Sequence, residues 1–577
     1  MRIIYTYYYI LIALVLSVVV GGCNRYDEIL GVGRPVIEFD HADGIYTVSV
    51  GEELVLEPMV ENAVNASYEW MMEDSTVVCT RPQWVSKWSR PGEYYVMLTV
   101  TAEGGIAREE IMIDVIDPQP PAISIAAPES GLLLGVGQRR VIAPLYGNCG
   151  EDGVPQSVEW SVDGEVVSRE LSYCFGSARA GVYNIIVSAS NSVGTTRKEL
   201  RVEVMDELPS DIRFVPLSSL TAGAVRYTVV GRPVGLQVAG RYDGDIVWRV
   251  DGAEVEGNGG YYRFVSDREG RYSVTAENRG CVSQIDVVVS REPAVGAIAS
   301  MQSPVRVLEY LPAPGQFIGE SNSIGGMPVD VATLPAACVW AENRLALNRF
   351  VSLGAWGGYI VCALDGSIVS HGRGYDFAIM GNAILTSNEP GIVWVMQDVN
   401  GNGLPDDQWY ELRGSEFGDV STDHCWSVDY YRPAADGMPV QWTAPDGESR
   451  VVEYLPSAHS QPSYFPAWAE GGVLTFYGSR LKSRTFYDQS AGLWDSPPFG
   501  WGYADNLGSN IVDDPADSGT AGQWAGFRIA DAVLPDGTPV ALSHIDFVKI
   551  QTGVMATAGR VGEVSTEVCG LRALGGS

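Results

Sequence analysis

Basic residues are scarce in this chain. Its 38 Lys and Arg stand against 71 Asp and Glu, a formal net charge of −33 over 577 residues. Phosphate backbones are bound by basic faces, so a nucleic-acid partner is excluded. The same charge disfavours electrostatic docking onto anionic lipid. Histidine is scarcer still: His41, His371, His424, His459 and His544 are the full set, and they are scattered. No Gly-x-Ser-x-Gly elbow, His-Glu-x-x-His helix, phosphate-binding loop or dinucleotide fingerprint is present, so no catalytic residue is assigned. A hydrolase remains an alternative only through an unrecognised carboxylate pair about 5–10 Å apart. With 71 acids, the acid count decides nothing. The nine cysteines form no Cys-x-x-Cys and no zinc spacing. Cys149 and Cys174 fall in one module, where they either pair or stay buried thiols. Only one apolar run is long enough to consider for a membrane, Ile3 to Val20.

That run follows Arg2 and ends in Gly21-Gly22-Cys23, the layout of a signal peptide over residues 1–22. A transmembrane anchor is the alternative, but the run is barely long enough. A Cys directly after two glycines resembles a bacterial lipobox, which makes Cys23 the expected lipidated residue at the head of a linker, 23–32. The acidic pair Asp27-Glu28 close behind it resembles the surface-export signal of Bacteroidetes lipoproteins. The expected location is therefore the outer face of the outer membrane, with contact to the bilayer through the lipid anchor alone.

What the chain has in quantity is apolar (46%), glycine-rich (66 Gly) and aromatic sequence, with short alternating runs between turn residues. At roughly 150 residues per domain the length corresponds to about four domains. Trp70, Trp160 and Trp248 recur at spacings of 90 and 88, each in a strand-like run followed by an acidic turn. About twenty residues on, Gly92-Glu93-Tyr94, Gly181-Val182-Tyr183 and Gly270-Arg271-Tyr272 each open an alternating strand. Pro-rich joints such as Asp117-Pro118-Gln119-Pro120-Pro121 punctuate the array. A unit of this length with a strand Trp and a later Gly-x-Tyr resembles a PKD-like, immunoglobulin-type β-sandwich. Three tandem modules are expected, at 33–117, 118–206 and 207–291. Their Trp residues read as core rather than as sugar-stacking platforms, because they recur with the fold. The array reads as a stalk.

Past residue 294 the repeat stops, and ten of the fifteen Trp lie beyond residue 300. Strand-like runs continue without a long helical period. The fold class is therefore all-β, with a larger β-sandwich or jelly roll at 295–577. Its sharpest motif is Asp398-Val399-Asn400-Gly401-Asn402-Gly403-Leu404-Pro405-Asp406-Asp407. Oxygen side chains at loop positions 1, 3, 5 and 9, with Gly at 6, suit calcium, a hard cation that takes six to eight oxygens. Asp398, Asn400, Asn402 and Asp406 fill those positions, and the Leu404 carbonyl falls at position 7. Position 12 is Trp409 instead of Glu, so Asp407 or Glu411 is expected to complete the shell. The loop resembles those of thrombospondin type 3 and dockerin repeats; a plain Asn-Gly turn is the alternative.

A broader resemblance rests on Val351–Val361, Gly374-Tyr375-Asp376-Phe377, Glu389–Val393, the calcium-type loop with Trp409–Leu412, Trp501–Asn506, Ile545–Gly553 and Gly562–Val568. Together these resemble Bacteroidetes cell-surface lipoproteins with PKD-like modules. The resemblance implies an accessory to a TonB-dependent outer-membrane uptake system, with corrinoids among the cargoes. A glycan-binding or adhesion module is the alternative, and the partner is correspondingly a transporter, a glycan or a small molecule. For ligand contact the expected segment is Trp494–Tyr503, whose Pro and Gly content suggests a loop presenting Trp494, Trp501 and Tyr503. Asp376 and Asp505, set among aromatic and glycine residues, are added as ligand contacts or further calcium ligands, with turn capping as the alternative.

Overall fold

The computed structural model describes residues 33–41, 44–149, 153–221, 223–294, 305–320, 331–456, 458–512 and 523–575. Cys23 and the leader lie outside the described residues. The chain is all-β, and it separates into two compact units, with Pro120/Pro121 as the main boundary. The sandwiches that the repeat announces are divided between them, and the second unit also holds the C-terminal domain.

The first unit holds the module of residues 33–117. Its five-stranded sheet runs Ile45–Ser49, Gly105–Ile116, Gly92–Ala102, Ser67–Met72, Val77–Cys79, faced by the pair Glu53–Leu56 and Trp84–Lys87. The second unit contains two more sandwiches of the same plan. One uses the sheet Leu132–Gly135, Thr195–Met205, Gly181–Ser190, Ser157–Val162, Glu165–Ser168. The other uses Val225–Val229, Cys281–Ser290, Gly270–Asn278, Val247–Val250, Ala253–Val255. In all three the first strand of the large sheet pairs parallel to the last, and the rest pair antiparallel. These are tandem immunoglobulin-like β-sandwiches.

The repeated residues do the same job each time. Trp70, Trp160 and Trp248 are fully buried. Their indole nitrogens donate to the Arg81, Glu170 and Gly259 carbonyls at 2.9, 2.9 and 3.0 Å. Tyr94, Tyr183 and Tyr272 each donate to the carbonyl four residues upstream, at Arg90, Arg179 and Arg268. That contact pins the corner where the following strand begins. Asp163 and Asp251 sit at φ of 50° and 49° in the acidic turns, and each accepts an amide of the neighbouring strand at 2.9 Å. A core role for the Trp predicts that Trp70→Ala lowers stability by about 3–5 kcal/mol. Calorimetry of the full chain should show the transition of the first module displaced downwards, and an unmoved transition would contradict the assignment. Cys149 and Cys174 are both free. Cys174 faces the Arg139 guanidinium across its strand pair, while Cys149 donates to the Gly147 carbonyl. The alternative of a bridge is thereby removed.

The large C-terminal domain is organised by a six-stranded sheet: Val305–Leu311, Tyr359–Leu364, Phe547–Thr552, Gly391–Met396, Trp409–Leu412, Ala532–Val533. It is buried on both faces, which is why its strands read as near-continuous apolar runs. Alternation along Tyr359–Leu364 sends Ile360 and Cys362 to one core, with the helix Leu334–Leu345 and the sheet of Gln523–Phe527, Phe377–Gly381 and Gly570–Ala573. Tyr359 and Val361 go to a second core beneath the four-stranded sheet Ser449–Val452, Val440–Thr443, Asp423–Tyr431, Val473–Arg480. The helix departs from the expectation of a domain without one. Its start is marked by Thr333, whose hydroxyl accepts the Ala336 amide, with a proline in the first turn. Among the described residues no helix is long and apolar enough to cross a membrane.

Candidate functional site

The motif loop follows the strand Gly391–Met396 and folds around its acids. The Asp398 carboxylate accepts the amides of Gly401, Asn402 and Gly403, at 2.8, 3.2 and 2.8 Å. Asp407 accepts the amides of Val399 and Asn400. Asn400 and Asn402 point side-chain amides at Asp406 and Asp407, at 2.9–3.2 Å. Gly401 and Gly403 take φ of 71° and 73°, which lets the chain wind this tightly. Three carboxylates thus share one turn, and each hydrogen-bond partner found for them is an amide. Burial, then the charges of Asp406 and Asp398, push the Asp407 carboxyl up to about 7. Burial also raises Asp398.

This donor set fits calcium: carboxylates from Asp398, Asp406 and Asp407, amide oxygens from Asn400 and Asn402, and the carbonyl of Leu404, whose side chain is exposed. Glu411 does not join it. It lies on the strand Trp409–Leu412, where its carboxylate accepts the Ser479 hydroxyl at 2.5 Å and stands 3.8 Å from His424 Nδ1. His424 places its other nitrogen 2.9 Å from the Phe417 carbonyl, so the ring does not bridge Ser479 to Glu411 in a relay.

The loop's flanks hold the third module. Arg232 donates to Gln397 Oε1 at 2.7 Å, Tyr410 donates to the Pro233 carbonyl at 3.1 Å, and the Ala294 amide donates to the Val399 carbonyl at 2.9 Å.

Beside this junction, module and domain form a partly open cavity of about 110 Å³, room for several waters or a small organic molecule. Its floor is the six-stranded sheet. Lys549 and Gln551 alternate onto the face that carries Phe547, and Trp394, Trp409 and Tyr359 join them from the adjoining strands. The third module supplies Leu217, Leu236, Tyr261 and Arg226, and the four-stranded sheet supplies Trp426. The polar atoms of this wall are unusual. The indole nitrogens of Trp394, Trp409 and Trp426, the side-chain carbonyls of Gln408 and Gln551, and the Tyr261 hydroxyl are all buried without a protein hydrogen-bond partner among the described residues. Buried polar groups of this kind need a partner, whether water or a bound molecule. Lys549 is 6% exposed and lies 4.9 Å from the Trp394 ring, with Tyr359 and Trp409 at 5.6 and 5.7 Å. Burial brings its ammonium down to about 8.

The expected ligand residues fall elsewhere. Tyr503 is buried, accepting the Glu416 amide at 2.9 Å and packing edge-on to Phe499. Trp494 and Trp501 are half-buried, and Trp494 meets Tyr487 edge-on within a short hairpin. Asp376 is buried and caps the amides of His371 and Ile529 at 2.8 and 2.7 Å. Asp505 is buried at φ 50° and caps Asn382 and Glu567 at 2.8 and 2.9 Å. Asp376 therefore acts as a cap inside the fold, while Asp505 both caps and gathers with Glu389 and Glu567 in a carboxylate group that could hold a metal ion. None of these five residues lines the cavity. The residues that do were signalled only faintly: Lys549 and Gln551 are polar interruptions, two apart, in an otherwise apolar strand.

A PKD-like domain family matches residues 34–102. No curated protein is significantly similar to the chain. Among solved structures, similarity extends to the I67–I69 fragment of the titin I-band, 11% identical with a TM-score of 0.20, covering 44% of this chain and 98% of that one. The three N-terminal domains of the bacteriophage RB49 outer capsid protein Hoc are similar at 12% identity and a TM-score of 0.21, covering 44% of this chain and 99% of theirs. The fibronectin(III)-like modules of Clostridium thermocellum CbhA are similar at 17% identity and a TM-score of 0.17, covering 29% and 94%.

Proposed function

We propose that this protein is a lipid-anchored binding protein of the bacterial outer surface. It holds a small molecule where its third module meets the C-terminal domain, as an accessory to a TonB-dependent uptake system. The observation that carries the reading is the cavity: three indole N–H donors and two amide carbonyls, buried and unpartnered, beside a caged lysine. Pockets that fix a ligand combine apolar walls with a few convergent polar groups, and a bound molecule would satisfy these. The leader, Cys23 and Asp27-Glu28 support the anchor and surface location. Calcium at Asp398–Asp407 would brace the junction that closes the cavity.

Native mass spectrometry of the protein recovered from its own cells tests the reading, together with a thermal-shift screen of small metabolites. A bound mass, or a hit whose shift is lost in Trp409→Ala and Trp426→Ala, is the expected outcome. Absence of both would overturn the reading. Co-purification of a TonB-dependent transporter from solubilised outer membrane would support the uptake role, and its absence with calcium present would count against that role alone. A glycan-binding role keeps one observation in its favour: the hairpin Phe486–Asp488 and Leu493–Asp495 exposes Phe486, Tyr487 and Leu493.

A further inference from the structure

The chemistry of the cavity wall says what kind of molecule belongs there. We infer that it takes a small organic carboxylate on a flat, largely apolar body, its carboxylate seated on Lys549 and the neighbouring indole N–H groups. The inference rests on the reading of this cavity as the ligand site.

Charge selects the ligand first. The chain carries 71 acids and 38 basic residues, yet among the described residues no Asp or Glu lines the cavity, while Lys549, Arg226 and His424 do. A wall stripped of acids in so acidic a protein suits an anion. Second, Lys549 is the cation left over. Among the described residues its ammonium has no ion pair and no hydrogen bond. Its three rings disperse the charge but offer no acceptor for its three N–H donors. Arg226, by contrast, donates to the Gly223 and Val215 carbonyls at 2.6 and 2.8 Å.

The acids that share the sheet face with Lys549 are Glu309 and Glu411, and both are engaged elsewhere. Glu309 accepts Thr221 and Tyr359, at 2.9 and 3.2 Å, and Glu411 accepts Ser479. Both favour the charged lysine without neutralising it by contact.

Third, Lys549 is the cation with donors to spare, since Arg226 spends its guanidinium on two carbonyls and Glu309 and Glu411 already lie on the Lys549 face, so the wall suits one further negative charge. A phosphate monoester, near two charges at neutral pH, would be left under-compensated in a buried site. Finally, Gln408 and Gln551 present orphan acceptors, so the ligand also carries a hydroxyl or N–H. The surrounding rings and Leu217 and Leu236 ask for a flat apolar body between the two ends.

The test is calorimetric titration of the full-length mature protein in calcium. The probes are aryl carboxylates and their neutral amides, including indole-3-acetate with indole-3-acetamide, and 4-hydroxyphenylacetate with 4-hydroxyphenylacetamide, with phenyl phosphate as a third class. At least one carboxylate should bind tenfold or more tightly than its amide at pH 7. That preference should vanish in Lys549→Met and be partly kept in Lys549→Arg. In the wild type it should fade between pH 7 and pH 10 while amide binding stays level, an arm that stands even if Lys549→Met does not fold. Amides binding as well as acids, or phenyl phosphate binding best, would overturn the carboxylate inference and leave the ligand site standing. A panel with no binder also overturns it. Only that result together with an empty native mass spectrum and a blank metabolite screen would remove the ligand site itself.

Discussion

Raising the pH from 5 to 8 should lower the melting temperature of this protein, by about 5 °C or more. The cause is a knot of acids in the C-terminal domain. Carboxylate oxygens of Glu389, Asp505 and Glu567 lie within 4.8 Å of one another, and Glu563 adds its charge to theirs. Burial raises Glu389 to about 8, with Asp505 and Glu563 adding to the shift. Burial likewise raises Glu563 to about 8, and it holds Asp505 and Glu567 well above the carboxylate range. Below about pH 4.5 these groups are protonated folded or unfolded. Between 4.5 and 8 the unfolded chain has released protons that the folded protein still binds, so stability falls throughout that window. Lys549 works in the opposite sense. Depressed from 10.5 to about 8, it makes stability rise with pH, but only between 8 and 10.5, above the window of the acids. Glu567→Gln keeps the shape and removes one proton from the linkage, so its melting curve should be flatter across pH 5 to 8. Thermal melts of both proteins, in calcium, check this. A midpoint that is level or rises over the window would refute the acid-knot argument.

That knot also marks where sequence reading stops. The tandem modules were legible because a sandwich repeats its demands: Trp70, Trp160 and Trp248 fill the same space and make the same hydrogen bond. Spacing alone exposes a residue used three times for one reason. Asp505 carried no such cue. A Trp-Gly-Tyr-Ala-Asp run reads as an exposed ligand loop, and in the structure Tyr503 and Asp505 turn inward to hold backbone amides. Asp376 behaves alike. Short-range composition tells a loop from a strand, but it does not tell which way a loop side chain faces when a second layer of protein covers it. The cavity was hidden for a related reason. Its wall is assembled from residues as distant as Leu217 and Lys549, brought together by the docking of one domain on another. Only the polar pair Lys549 and Gln551, breaking the apolar strand Phe547–Thr552, hinted at a buried polar face. The helix Leu334–Leu345 was missed because Trp, Cys, Val and Pro blur its period, although Thr333 and Pro335 mark its start in the sequence.

The motif loop gives the second large effect, and it changes sign with conditions. If calcium fills the loop, chelation strips the cation from three clustered carboxylates. At calcium one hundred times its dissociation constant, the lost stabilisation is about 2.7 kcal/mol. For a domain of this size that is several degrees of melting temperature. Asp407→Asn separates metal from mere loop packing. In calcium the variant lacks a ligand charge and should melt below the wild type. In chelator it is relieved of repulsion from Asp406 and Asp398 and of a buried carboxyl that burial holds near 7, so it should melt level with the wild type or above it. Glu411→Gln should leave the calcium response unchanged, because Glu411 is tied to Ser479 and not to the loop. The loop's flanks carry the Arg232–Gln397, Tyr410–Pro233 and Ala294–Val399 contacts. Chelation should therefore also loosen the third module's hold on the domain, seen as faster amide exchange at Arg232, Ala294 and Val399. Equal melting of wild type and Asp407→Asn in calcium, with no response to chelator, would reduce the loop to a hydrogen-bonded turn. The crossing of the two curves is the result that requires a metal, because no rearrangement of amide hydrogen bonds makes one substitution destabilising with calcium and harmless without it.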